Sequence, residues 1–147
     1  MKRIVTGAAT SLAATGLLVS GTITPAHAAP AWEKTVKCEQ KDWDDRVIPT
    51  RAGNDELGWR HFSAPHNIKK CKIVNAALDG EVDKKKGNRL EYWAYAWNDN
   101  KRVKVIVIVQ YSRKTTDGRY DAGRGKKIGV ITAYCQGMDR CPDWLNR

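Results

Sequence analysis

The run VKVIVIVQY, from Val103 to Tyr111, is β-branched at almost every position. Branched side chains are stiff at χ1 and pack well on a pleated surface, so the run reads as a strand. Apolar residues occupy both its odd and its even positions, which fits a central strand covered on both faces. Upstream, LEYWAYAW (Leu90 to Trp97) is a second strand, and NDNK at 98–101 is a turn; so short a link favours antiparallel pairing. KIGVITAYC, Lys127 to Cys135, gives a third strand after a polar, Gly-rich loop. Before the strands, Ser63-Ala64-Pro65 carries a helix-start signature, and Ile68, Cys71, Val74 and Leu78 follow at helical spacing until Asp79-Gly80. Residues 29–60 show no long period and read as short helical pieces or loops; residues 81–88, with Lys84-Lys85-Lys86, read as a charged loop. The expected class is α+β: an N-terminal helical segment packed on an antiparallel β-sheet, with two disulfides.

The disulfides follow from an export signal and an even cysteine count. Lys2 and Arg3 precede an uncharged stretch from Ile4 to Ala26, and Ala26-His27-Ala28 places small residues where a signal peptidase cleaves. Residues 1–28 are therefore expected to be a cleaved signal peptide, and residues 29–147 a single secreted domain. No later stretch reaches the roughly 18 apolar residues of a spanning helix, so stable membrane insertion is not expected. Cys38, Cys71, Cys135 and Cys141 remain, and export favours their oxidation over zinc, for which no Cys-x2-Cys spacing exists. Three pairings are available. Cys135 and Cys141 flank the short polar loop QGMDR, which favours that local bridge and leaves Cys38 with Cys71.

The formal charge is +10, falling to +8 once Lys2 and Arg3 leave, and the basic residues are spread over the whole mature chain. Such a balance steers a protein toward polyanions. It does not segregate along a long amphipathic helix, which disfavours a membrane-active protein.

The mature chain has two histidines, His61 and His66, within WRHFSAPHN. Arg60 precedes them, and Lys69 and Lys70 follow one turn later. Histidine is suited to moving protons near neutral pH, and cations beside it can hold phosphoryl oxygens. His66 is expected in the first turn of the helix, where anions are favoured. The bland alternative is a pair of surface loop residues, and a metal pair lacks a carboxylate or free thiol to complete its shell. In the last strand, alternation puts Thr132 and Tyr134 on one face, with Ile128 and Val130 behind them. On the aromatic strand, Trp93, Tyr95 and Trp97 share a face with Glu91, while Tyr92 sits with Leu90 and the alanines. That strand reads more readily as core than as a base-stacking platform.

WRHFSAPHN leading into a helix, antiparallel strands, and a closing GVITAYC resemble bacterial toxin ribonuclease domains of the barnase–EndoU–colicin–RelE superfamily. The resemblance covers about residues 57–135. It implies metal-independent RNA cleavage to a 2′,3′-cyclic phosphate, with His61 in the basic-plus-His pair, His66 as a second histidine, and Thr132 and Tyr134 on the terminal strand. Two features depart from the pattern: such domains usually end a large delivery protein, and this one has two expected disulfides. The function expected is a secreted endoribonuclease, an antibacterial toxin in one form, with RNA as partner and an immunity or inhibitor protein in the producer. His61 and His66 would be the acid–base pair, Arg60, Lys69, Lys70 and Arg113 the phosphate holders, and Thr132 and Tyr134 the orienting residues. No cofactor or metal is called for, and a monomer is expected. The rival from another class is a non-catalytic secreted basic module that binds anionic polymers or inhibits another enzyme.

Overall fold

The computed structural model describes residues 31–147, so the expected signal peptide at 1–28 lies outside the described residues. Six strands and two helices follow in the order β1 (Glu33–Lys41), β2 (Val47–Gly53), α1 (Trp59–Ser63), α2 (Cys71–Leu78), β3 (Lys84–Lys86), β4 (Arg89–Asn98), β5 (Lys101–Gln110) and β6 (Gly129–Cys135). A 3-10 turn, Asp143–Asn146, closes the chain. The fold is α+β, with an antiparallel hairpin β1-β2 and a four-stranded antiparallel sheet in the order β3-β4-β5-β6. Both expected bridges are present, Cys38–Cys71 and Cys135–Cys141.

β5 is interior to the sheet, as its branched run requires. Val103, Val105, Val107 and Val109 enter the main core with Leu90 and Tyr92 of β4 and with Ile73, Val74, Ala77 and Leu78 of α2. On the opposite face Ile106 and Ile108 are each only 5% exposed. β4 and β5 meet through a tight link, Asn98 opposite Lys101, so the register runs unbroken from Arg89↔Gln110 to the tip.

Four expectations need correction. Residues 33–53 form the β1-β2 hairpin and not helical pieces or loops. Their period was hidden because β1 buries only Cys38 fully and its register shifts twice, while β2 is buried at nearly every position. The helix does not start at Ser63: α1 ends there, and α2 begins at Cys71. Asn67 stands between them at φ 57°, a left-handed conformation that no helix continues through. Its buried side chain donates to the Cys141 carbonyl and to Asp143 Oδ1. Ile68 is buried as its spacing implied, but from the turn. Lys84–Lys86 is an exposed edge strand and not a loop, and lysines at a sheet edge discourage pairing with other chains. Finally, β6 carries one extra residue: Ile108 faces Thr132, whereas Val109 faces Val130. The bulge at Ile131 turns Val130 into the main core beside Ala133 and Cys135, and Ile128 joins a smaller cluster with Leu57, Tyr120 and Ala122.

The hairpin is fastened by two polar anchors. Arg51, buried in β2, donates to the carbonyls of Lys127 and Lys34, which satisfies a charge that burial disfavours. Asp42, in the β1-β2 turn, accepts from the Tyr92 hydroxyl at 2.6 Å, from Arg46 Nε at 2.7 Å, and from the amides of Asp44 and Arg46. Burial pushes the Asp42 carboxyl up, but these hydrogen bonds outweigh it and hold the carboxyl below its ordinary value. The same burial and the adjacent carboxylate push the Tyr92 hydroxyl well above its usual range.

A depressed folded-state value means that the Asp42 contribution is fully present above the unfolded carboxylate value of about 3.9, and is lost as pH falls through the lower folded value. Asp42→Asn should cost about 3 kcal/mol at pH 7, because it leaves Arg46 and Tyr92 without their shared acceptor. It should also flatten the loss of stability below about pH 4. Urea unfolding of both proteins at pH 7 and pH 3 measures this; equal acid sensitivity would show that the anchor lies elsewhere.

Candidate active site

His61 and His66 come together beside β6. Their ring centroids are 6.1 Å apart, and His66 lies 6.2 Å from the Tyr134 ring. Each histidine is half-buried. Each is oriented by a backbone carbonyl: His61 Nδ1 lies 2.7 Å from the Asp55 oxygen, and His66 Nδ1 lies 3.0 Å from the Asp139 oxygen. A carbonyl only accepts, so Nδ1 carries the proton in both rings and Nε2 is left to face other chemistry.

These orientations have identifiable supports. α1 carries His61, and the helix is docked through the Gly58 N–H, which donates to the Ile131 carbonyl at 2.8 Å. That carbonyl belongs to the bulged residue of β6, whose place in the ladder is interrupted. Gly58 sits at φ 83°, and a Cβ there would lie 2.7 Å from the Arg51 carbonyl oxygen, so the approach needs glycine. His66 is held on its backbone as well: its N–H donates to the Phe62 carbonyl and its carbonyl accepts from the Cys141 N–H. The Cys135–Cys141 bridge closes the loop that brings Asp139 to the ring. The expected helix-start position of His66 is thus replaced by a turn fixed from the far end of the chain.

Thr132 and Tyr134 do share the face of β6 that looks away from the main core, and the register lays out that face. Thr132, Ile108 and Glu91 form one row across three strands; Tyr134, Ile106 and Trp93 form the next. The Thr132 hydroxyl is shielded and has no hydrogen-bond partner among the described residues. At one end of the face a cleft of about 390 Å³ is lined by Glu56, Leu57, Arg89, Gln110, Tyr120 and Ile131, among others. Glu56 accepts from the Tyr120 hydroxyl at 2.7 Å and pairs with Arg119; the Tyr120 hydrogen bond is the main reason its carboxyl sits below the ordinary value.

The expected phosphate holders fare unevenly. Arg60 is paired with Glu33 at 2.5 Å. Arg113 is held by Asp121 through two hydrogen bonds, which press the Asp121 carboxyl down to about 2. Neither guanidinium is free as the molecule stands. Lys69 and Lys70 are exposed in the turn before α2, and their side chains have no ion pair or hydrogen bond among the described residues. Sequence reasoning missed Arg140, whose guanidinium donates to the Ala64 carbonyl two residues before His66. It missed Arg89 as well, at the foot of the open face. Arg140 was discoverable, since it is the last residue of the loop that the Cys135–Cys141 bridge ties back.

No protein-family model matches this chain, and no curated protein matches it. The superfamily resemblance therefore rests on residues and their placement alone.

If the bridge orients His66 through Asp139, Cys135→Ala/Cys141→Ala should release the ring. 15N NMR of the imidazoles is expected to show His66 passing to a mixture of tautomers while His61 stays protonated at Nδ1. Loop entropy makes this bridge, with a separation of 6 residues, less stabilising than Cys38–Cys71, with a separation of 33, by about 1.5 kcal/mol. An unchanged His66 spectrum in the folded variant would mean that the turn alone sets the ring.

Proposed function

We propose that the protein is a secreted, metal-independent endoribonuclease of the kind its resemblance implies. The observation that carries this reading is the pair of imidazoles with Nδ1 tied to main-chain carbonyls and Nε2 free, 6.1 Å apart and beside Tyr134. With a reach of about 2.6–3.2 Å from each Nε2, the two rings can serve two oxygens of one phosphodiester. One imidazole, neutral, takes the proton of the ribose 2′-hydroxyl as that oxygen bonds to phosphorus. The other, protonated, gives its proton to the 5′-oxygen as the phosphorus–oxygen bond breaks. The products are a 2′,3′-cyclic phosphate and a 5′-hydroxyl, and the two rings have exchanged protonation states.

Thr132 and Tyr134 supply hydroxyls on the neighbouring strand. The Thr132 hydroxyl, shielded and without a partner among the described residues, reaches a substrate oxygen only if the groups over it move. Lys69 and Lys70, in the turn that follows His66, are the preferred phosphate holders, and Arg140, paired with Asp143 at 3.8 Å, lies in the loop that holds His66. Arg60 and Arg113 join them only by leaving Glu33 and Asp121. Secretion is supported by the export signal read in the sequence and by both disulfides. Among the described residues no helix is long and apolar enough to cross a membrane. An acidic immunity protein that covers the histidines fits the basic surroundings.

Purified, oxidised protein should cleave RNA in EDTA, leave DNA intact, and yield cyclic phosphate ends. His61→Ala and His66→Ala should each lower turnover by about 10²–10⁴-fold, with RNA affinity little changed. The pH–rate profile should be bell-shaped, its limbs belonging to the coupled pair. Full activity in both alanine variants would place the chemistry elsewhere. Intact RNA with the folded wild type would leave a basic binding module as the remaining reading.

A further inference from the structure

The open face does not end at the histidines. Beyond the row of Tyr134, Ile106 and Trp93, the strands β4 and β5 continue to their tip with Tyr95 opposite Lys104 and Trp97 opposite Arg102. Tyr92, Leu90, Ala94 and Ala96 turn to the core, so these aromatic rings have no core to fill. Tyr95 is 44% exposed and Trp97 64% exposed. Isolated apolar residues on a surface are ordinary, but this is a ladder of neighbours: the Tyr95 and Trp97 rings are 6.0 Å apart.

Cations are threaded through the ladder. Lys104 Nζ stands 3.0 Å from the centroid of the Trp93 ring, Arg102 lies 5.1 Å from Tyr95, and Lys84 lies 5.1 Å from Trp93. The Glu91 carboxylate in this row accepts from Trp93 Nε1 and pairs with Lys84, and the Asp83 carboxylate at the strand edge accepts from the Trp93 N–H. What is left is positive charge alternating with flat π surface.

We propose that this end of the sheet is a binding track for single-stranded nucleic acid, with bases stacked on Trp97 and Tyr95 and phosphates met by Arg102 and Lys104. The inference deepens the ribonuclease reading by giving its substrate class and the path that substrate takes away from the histidines. Three arguments select this occupant. Exposed aromatics need a partner with planar faces, and Arg102 and Lys104 need one with repeating negative charge; single strands combine both. A duplex keeps its bases stacked on one another, so the rings would gain nothing from it. A strand presents same-face side chains about every 6.6 Å, so the rings recur at regular intervals along one line.

The test uses the thymidine octamer dT8, which has no 2′-hydroxyl to cleave, with tryptophan fluorescence as readout. Trp97→Ala should weaken binding at least about fivefold, Tyr95→Ala similarly, and Trp97→Phe should restore most of the affinity. Arg102→Gln and Lys104→Gln should each reduce the slope of log affinity against log salt by about 0.7. His66→Ala should bind dT8 like the parent. On RNA, the ladder variants should raise KM for long single strands and leave a dinucleotide substrate unaffected.

If Trp97→Ala and Tyr95→Ala bind dT8 at parental affinity while RNA is still cleaved, the track is wrong and the ribonuclease reading stands. If dT8 binding depends on the ladder but no RNA is cut, the track stands and the ribonuclease reading falls. Poly-glutamate bound as tightly as dT8, with the same loss in Trp97→Ala, overturns the assignment to nucleic acid.

Discussion

One extra residue in β6 makes the candidate site. Without the bulge at Ile131, strict alternation from Ala133 and Cys135 would send Ile131 to the core and Val130 to the open face. With it, Val130, Ala133 and Cys135 all pack inward, and Thr132 and Tyr134 stay outward. The bulge also interrupts the ladder at Ile131, whose carbonyl takes the Gly58 N–H, and that bond brings α1 and His61 against the strand. Side-chain direction and histidine position thus trace to the same local event, in keeping with the occurrence of bulges beside functional sites. The glycines around it serve the same approach. Gly53, at φ 70°, comes so close to Leu57 that a Cβ would collide with its carbonyl, as one at Gly58 would crowd that of Arg51.

The sheet divides its labour by face. The inward face receives α2, an eight-residue helix whose buried side is just wide enough to cover β4 and β5. A helix that short has marginal stability of its own, so its place depends on packing and on the Cys38–Cys71 bridge to β1. Among the described residues no helix packs over β4 and β5 on the outward face. That face limits its apolar exposure by another route: Ile106 and Ile108 are buried, and the Trp93 and Tyr95 rings are covered by Lys104 and Arg102. A face built this way shields its isoleucines while leaving ring surface at Tyr95 and Trp97 exposed.

Sequence legibility followed the strength of local pattern. β4 and β5 were readable because branched and aromatic runs with a two-residue tip leave one register. The cysteine pairs were readable because Cys135 and Cys141 are separated by a short polar loop. The histidines were readable as residue types, and Thr132 with Tyr134 as a face. The β1-β2 hairpin was not, since β1 alternates charges with few apolar residues and its partner is buried at every position after Val47. The false helix start had a physical cause: Ser63, Pro65 and the spacing from Ile68 fit a helix locally. Long-range bonds from Cys141, Asp143 and Asn146 to residues 66–69 hold the segment as a turn instead. The bulge at Ile131 leaves no mark in residue types, because Ile fits either face.

The choice of main-chain carbonyls to orient both histidines bears on the chemistry. A carboxylate would fix the tautomer equally well, but it would place a full negative charge against the ring. The Asp55 and Asp139 carbonyls fix Nδ1–H with a dipole only. Their own carboxylates are not the groups that meet the rings. Glu33 and Asp121 are engaged by Arg60 and Arg113. Lys69 and Lys70, exposed and without side-chain ion pairs among the described residues, stand in the turn that follows His66. Each imidazole is thus oriented by a main-chain dipole, with no carboxylate hydrogen-bonded to either ring among the described residues.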